Sequence, residues 1–137
     1  MTMHPADFLF PPDLHVSHHR ISNVLIVGSC GAAGWAHFLK ELVPDVTFDY
    51  CLFNNASELP ELASDKLKSY NFQVVQIPLR SIVSDAIVRF ESFKNEDGFN
   101  QLLEYAYSSL DILFGAALKY NLQHGLVTFV SNFITPQ

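Results

Sequence analysis

The sequence predicts an α/β domain built on a mostly parallel sheet. Short runs of β-branched and apolar residues, such as Asn23-Val-Leu-Ile-Val-Gly28, alternate along the chain with segments of helical spacing. Each apolar run ends in Gly, Pro, Asn or Ser, the residues that turn a chain sharply. Strands that alternate with helices pair in parallel through right-handed crossovers.

The first strand is expected at about Ser22 to Gly28. A helix follows from about Ala32 to Leu42, with Trp35, Phe38, Leu39 and Leu42 on one face and Pro44 just beyond its end. Val46 to Phe53 is the second strand, and Asn54-Asn55-Ala56 is its turn. Ser57 is placed to cap a helix through Tyr70, where Pro60 is tolerated in the first turn. Phe72 to Ile77 is the third strand, closed by Pro78. Ser81 is placed to cap a helix that carries Ile82, Ala86, Ile87 or Val88, and Phe90. After the loop Asn95 to Gly98, with Asp97 as a cap, the longest helix runs to about Gln123 and stops at Gly125. Leu126 to Val130 is the fourth strand. The expected architecture is a flavodoxin-like three-layer sandwich over residues 21 to 137, preceded by an arm, residues 1 to 20, that holds Pro5, Pro11, Pro12 and His15, His18, His19. Four strands leave an edge or face uncovered. The expectation is therefore the front part of a longer domain, or a sheet completed by a further domain or another copy.

At 137 residues the chain fits one domain. Core material is plentiful, with 49% hydrophobic residues and 12 Phe. Only 16% of residues are charged, against the usual ~25%, which points to apolar surface covered by a partner, by a further part of the chain or by self-association. The net charge is -6 and the 8 Lys and Arg form no cluster, so nucleic acid is not an expected partner. The two cysteines, Cys30 and Cys51, describe neither a disulfide scaffold nor a zinc site, and a reducing, cytoplasmic setting is the simpler reading. No apolar run reaches the ~18 residues needed to span a bilayer. His15, His18 and His19 read as solvated residues of a loose arm rather than as metal ligands.

Ser29 is the most informative residue. It follows the first strand in Gly28-Ser29-Cys30-Gly31-Ala-Ala-Gly34 and opens the first helix. In a parallel α/β sheet, ligands bind beyond the carboxyl ends of the strands. A P-loop needs a lysine that residues 21 to 39 lack, and a Cys-based phosphatase loop needs an arginine where Ala36 stands. A dinucleotide site is a rival reading, but Cys30 occupies its second glycine position. Asp49 also stands in the middle of the second strand rather than at its end, where the ribose-binding acid belongs. A serine nucleophile remains. The first amides of the helix, the Asn132 carboxamide at the end of the fourth strand, and the turn amides near Asn55 and Ala56 would form an oxyanion hole, each donor worth about 3 kcal/mol of barrier. Arg80, just beyond the third strand, is a candidate for holding an anionic substrate group or, equally, a surface ion-pair partner.

This constellation resembles the SGNH/GDSL hydrolase superfamily. Val24-Leu-Ile-Val-Gly-Ser29-Cys looks like the nucleophile block, usually Gly-Asp-Ser, without its Asp. Val130-Ser131-Asn132-Phe133 looks like the block usually written Gly-x-Asn-Asp, with only the Asn matching. The resemblance covers residues 22 to 137 and extends to Phe72-Gln-Val-Val-Gln-Ile-Pro-Leu-Arg80 and Thr128 to Gln137. It implies Ser29 as nucleophile and Asn132 as oxyanion donor, with Ala56 or Asn55 near the place of the family's turn glycine. It implies hydrolysis or transfer of acyl groups, on acylated carbohydrate or carrier-bound esters, without cofactor or metal. The family's base is a histidine in a late Asp-x-x-His block, expected beyond residue 137. His37 is about two helical turns from Ser29, ~12 Å along the axis. His124 precedes its strand, at the end opposite the crevice. Two other expectations stay open: a non-catalytic binding or assembly module of the same fold, and nucleotide binding at the Gly28 to Gly34 turn.

Overall fold

The structure is a computed structural model and describes residues 20–53, 58–83 and 96–131. The elements are β1 (Asn23–Gly28), α1 (Cys30–Leu42), β2 (Thr47–Leu52), α2 (Ser64–Lys68), β3 (Phe72–Val75), α3 (Leu79–Ile82), α4 (Glu96–Ala117), α5 (Lys119–His124) and β4 (Thr128–Val130). The four strands form one sheet in the order β2-β1-β3-β4, and every pairing is parallel. This is the α/β, flavodoxin-like arrangement that the alternation of strand and helix predicts. Residues 1–19 of the arm, residues 54–57, residues 84–95 and residues 132–137 lie outside the described residues.

β1 is central and buried on both faces. Val24 and Ile26 pack with Val46 and with Ala32 and Ala36 of α1, while Leu25 and Val27 pack into the larger core with Val75, Leu113, Ala117 and Tyr120. Its register is pinned at the amino-terminal edge by Asn71. The Asn71 Oδ1 accepts from the backbone N–H of Ser22 at 2.8 Å and of Asn23 at 3.0 Å, and Asn71 N–H donates to the Asn23 carbonyl at 2.9 Å.

Trp35, Phe38 and Leu42 are not the face of α1 that meets the sheet. They are 40%, 59% and 61% exposed, while Ala32 and Ala36 are buried and Leu39 is partly buried. The two alanines let the helix axis approach β1 closely, and that approach leaves no room for large side chains between them. On the same side of the sheet, Phe129 of β4 packs edge-on against Phe72 with ring centroids 5.2 Å apart, yet it stays 56% exposed.

The expected helix from Ser57 to Tyr70 shrinks to α2. Residues 58–63 are non-helical and tied down by long-range contacts: Leu59 is buried, and the Pro60 carbonyl accepts the Tyr120 hydroxyl at 2.7 Å. Ser57 lies outside the described residues. The third helix begins earlier than expected, with Pro78 rather than Ser81 at its N-cap; of its expected apolar residues Ile82 is buried, and Ala86, Ile87, Val88 and Phe90 lie outside the described residues. The expected long helix is two, α4 and α5, separated at Leu118 (φ -88°, ψ 7°), which sets the buried Tyr120 toward Pro60. Asp97 lies in the first turn of α4, where a negative charge suits the helix dipole.

Gly125 ends α5 as expected. It adopts φ 67°, and its N–H returns to the Asn121 carbonyl at 2.8 Å, while Asn121 Nδ2 donates to the Leu126 carbonyl at 2.9 Å. The left-handed conformation favours glycine because a Cβ there crowds the following carbonyl. We expect Gly125→Ala to lower unfolding free energy by about 1 kcal/mol with an unchanged denaturant slope, measured by urea titration.

Candidate functional site

The sheet order defines where a ligand belongs. From β1 the chain crosses to β2 on one side, and from β2 it returns to β3 on the other. The crevice between the carboxyl ends of β1 and β3 is therefore the topological switch point. Gly28 and Ser29 stand on one side of it and Gln76 on the other, with the Gln76 N–H donating to the Val27 carbonyl at 2.8 Å.

Ser29 is the N-cap of α1, with φ -71° and ψ -169°. Its carbonyl accepts the Ala32 N–H at 2.8 Å, while its side chain makes no capping hydrogen bond. The residue is half-buried, and its hydroxyl is not consumed by the helix end. Cys30, the next residue, is exposed and free.

Two glycines shape the space around it. A Cβ on Gly28 would come 3.1 Å from the Gln76 carbonyl oxygen, 3.3 Å from the Gln76 Cβ and 3.4 Å from the Ala32 Cβ. Gly28 therefore lets β3 and α1 close on the end of β1. A Cβ on Gly31 would meet the Ser29 Oγ at 3.8 Å and the Gln76 Oε1 at 3.9 Å, so both oxygens lie within 4 Å of one point beside Gly31. The Gln76 Oε1 is buried and has no hydrogen-bond partner among the described residues. The same holds for the Ser131 Oγ, at the end of β4, where the Ser131 N–H donates to the Val75 carbonyl at 2.9 Å. Phe72 and Val74 pack on the α1 side of the sheet and Val75 and Ile77 on the other, and this alternation places Gln76 on the α1 side beside Gly28.

Sequence reasoning placed Ser29 correctly at a strand-to-helix turn at the sheet's carboxyl edge, and it missed Gln76. The signal was available only through register: Val27 pairs with Val75, which sets Gly28 beside Gln76. Asn132, Asn55 and Ala56 lie outside the described residues; the strands that precede them, β4 and β2, are the outer strands, next to β3 and β1. Arg80 lies in α3, just past β3, and its side chain lies outside the described residues.

The described histidines stand apart from Ser29. His37 is exposed on α1 and pairs with Glu41, Nε2 to Oε1 at 3.4 Å. His124 ends α5 beside Lys68 and Asn71, at the amino-terminal edge of the sheet. Among the described residues no group of His, Cys, Asp and Glu is arranged to hold a metal ion, and no helix is long and apolar enough to cross a membrane.

A second hollow of about 350 Å³ opens beside β2, lined by Asp49, Tyr50, Cys51, Pro60, Lys66 and Tyr70. Three of its polar groups, on Asp49, Lys66 and Tyr70, are bonded to one another. The Asp49 Oδ2 accepts from Lys66 Nζ and from the Tyr70 hydroxyl, both at 2.6 Å. These bonds hold the Asp49 carboxyl below its ordinary value; Tyr70, pushed up chiefly by burial and then by its bond to Asp49, reaches about 12. Burial also pushes the Cys51 thiol up, so it stays protonated at neutral pH. Asp49, mid-strand and bonded to two partners, is engaged away from the switch point.

Comparison with protein-family models, with curated proteins and with solved structures finds no match to this chain.

Gly28→Ala forces β3 and α1 away from β1, and we expect it to destabilise the fold by about 1–3 kcal/mol in urea titration. Asp49 supplies the pH test. Because its folded value is depressed, its contribution is complete above the ordinary carboxyl value of 3.8 and is lost as pH falls through the lower folded value. The stability difference between the native protein and Asp49→Asn should stay constant from about pH 5 to 9 and shrink below about pH 4, followed by urea titration across pH.

Proposed function

We propose that the crevice at Ser29 is the acyl-binding site of an SGNH-like serine hydrolase or acyltransferase. The single observation that carries this is a hydroxyl at the switch point, on a helix N-terminus, with no capping bond to occupy it. The sequence resemblance at Gly28-Ser29 and at Ser131-Asn132 supports the same reading. In this mechanism the Ser29 Oγ attacks the ester carbonyl. The first amides of α1 lie beside the oxyanion that forms, and Asn132 with the turn amide near Ala56 supplies further donors. Asn55 and Arg80 hold the rest of the substrate. A histidine base takes the Ser29 proton and returns it to the leaving alcohol, since a serine without a base is a poor nucleophile at neutral pH. The substrates are small or carrier-bound acyl esters, in a reducing, cytoplasmic setting consistent with two free cysteines. A further domain or a second copy covers the sheet face where Phe129 is exposed.

The positions of His37 and His124 favour one other reading, a binding or assembly module that keeps the sheet and the turn but not the triad.

An alkyl fluorophosphonate separates the two. In the full-length protein we expect covalent labelling at Ser29, located by peptide mass spectrometry and abolished in Ser29→Ala. Absence of labelling in folded protein would overturn the hydrolase reading in favour of the binding module.

A further inference from the structure

β2 is an edge strand without a guard. It stands at one end of the sheet order, is six residues long, and keeps an unbroken register with β1 from Thr47 to Leu52. The Thr47 N–H donates to the Ser22 carbonyl at 2.8 Å and the Phe53 N–H to the Gly28 carbonyl at 2.7 Å. Alternate residues of a strand turn their backbone groups to the same side, so Thr47, Asp49, Cys51 and Phe53 face β1. The N–H and C=O groups of Phe48, Tyr50 and Leu52 face outward and have no hydrogen-bond partner among the described residues. Natural proteins blunt such edges with short strands, lysine, proline or bulges. The opposite edge, β4, is only three residues long. β2 has none of these devices, and its one charge, Asp49, is held on the α2 side of the sheet by Lys66 and Tyr70. No residue of β2 is buried, although Phe48, Tyr50, Cys51 and Leu52 are apolar or aromatic, and Tyr50 and Leu52 are 53% and 50% exposed.

We infer that β2 pairs antiparallel with β2 of a second copy of this chain, about a two-fold axis beside Tyr50, so that two four-stranded sheets become one. The strand is complementary to itself in this register. Phe48 stands opposite Leu52 of the second copy, and Tyr50 stands opposite its own counterpart. These pairs share the α1 side of the sheet, where Phe48 already packs, and cross-strand aromatic and aliphatic pairs are favourable. On the α2 side Asp49 meets a Cys51 thiol rather than a second carboxylate. Every outward group of the strand gains a partner, about six backbone hydrogen bonds in all. A register centred on Asp49 sets like charges face to face, and one centred on Cys51 carries Phe48 past the end of the opposite strand. The low charged fraction of the chain, 16%, accords with self-association. The pairing is independent of the chemistry at Ser29, and it leaves the exposed Phe129, at the other end of the sheet, untouched.

Sedimentation equilibrium of the full-length protein, from micromolar to sub-millimolar concentration, reads the mass. We expect a reversible approach to twice the mass of one chain. Leu52→Lys adds an edge lysine at a half-exposed site, and it should weaken association by about ten-fold with an unchanged urea midpoint. Tyr50→Pro removes an outward N–H, a change an edge strand tolerates, and should act in the same way. Should that variant unfold, Leu52→Lys and cross-linking decide alone. Photo-oxidation with a ruthenium bipyridyl complex and persulfate joins adjacent tyrosines. The native dimer should give a dityrosine at Tyr50, located by peptide mass spectrometry, and Tyr50→Phe should lose that cross-link while still dimerising. The mass of one chain at every concentration would overturn the inference. Amide exchange on that monomer would then show either slow exchange at Tyr50 and Leu52, which assigns the edge to another segment of the same chain, or fast exchange, which leaves it open to a different protein. A dimer that survives both Leu52→Lys and Tyr50→Pro, or a dityrosine that excludes Tyr50, would put the contact on another face and overturn it equally.

Discussion

The close approach of β1 and β3 at Gly28 is the constraint on which the rest of the molecule turns. These two strands are neighbours in the sheet but not in the chain, since α1, β2 and α2 intervene. The 3.1 Å that a Gly28 Cβ would leave to the Gln76 carbonyl shows how little space separates them. The same glycine admits Ala32, so the first turn of α1 sits directly over the end of β1. At the opposite edge, Asn71 clamps the same two strands through the Ser22 and Asn23 amides. A strand pair fixed at both ends gives the sheet one register, and that register decides which residues share the crevice.

The chemistry of the chain divides along the sheet. At the amino-terminal edge and beside β2, polar side chains are saturated: Asp49 with Lys66 and Tyr70, Asn71 with two amides, Tyr120 with Pro60. At the carboxyl edge, polar atoms are left over. Ser29 makes no capping bond, and the side-chain oxygens of Gln76 and Ser131 have no partner among the described residues. Saturated networks stabilise a fold, whereas unsatisfied groups weaken it and persist where another role retains them. Gln73 shows that the division is not absolute. It is fully buried in mid-strand, donates to the Thr128 Oγ1 at 2.7 Å and still leaves its own Oε1 without a partner among the described residues.

The fold was legible from strand and helix periodicity because each strand of a parallel sheet is a near-continuous apolar run, as β1 is. Gly125 was legible because a helix end in the left-handed region favours one residue type. The face of α1 was not. Hydropathy favours Trp35, Phe38 and Leu42, but the spacing between helix and sheet selects the smaller Ala32 and Ala36. The short α2 was hidden because nothing local says that Pro60 will receive a hydroxyl from Tyr120, far along the chain. Ser29 could be found by its neighbours in sequence, while Gln76 reads in sequence as an ordinary polar residue at a strand end. Only the pairing of β1 with β3 gives it meaning.

The outward orientation of Trp35 has a practical side. It is the sole indole in the chain, and it rides on the solvent-facing surface of the helix that Ser29 opens. Fluorescence excited selectively at the indole, clear of the five tyrosines, therefore reports on that one surface. Any macromolecule, detergent or crowding agent that settles on it shifts the emission toward shorter wavelengths, so the chain carries a built-in optical sensor for whatever shields the outer side of that helix.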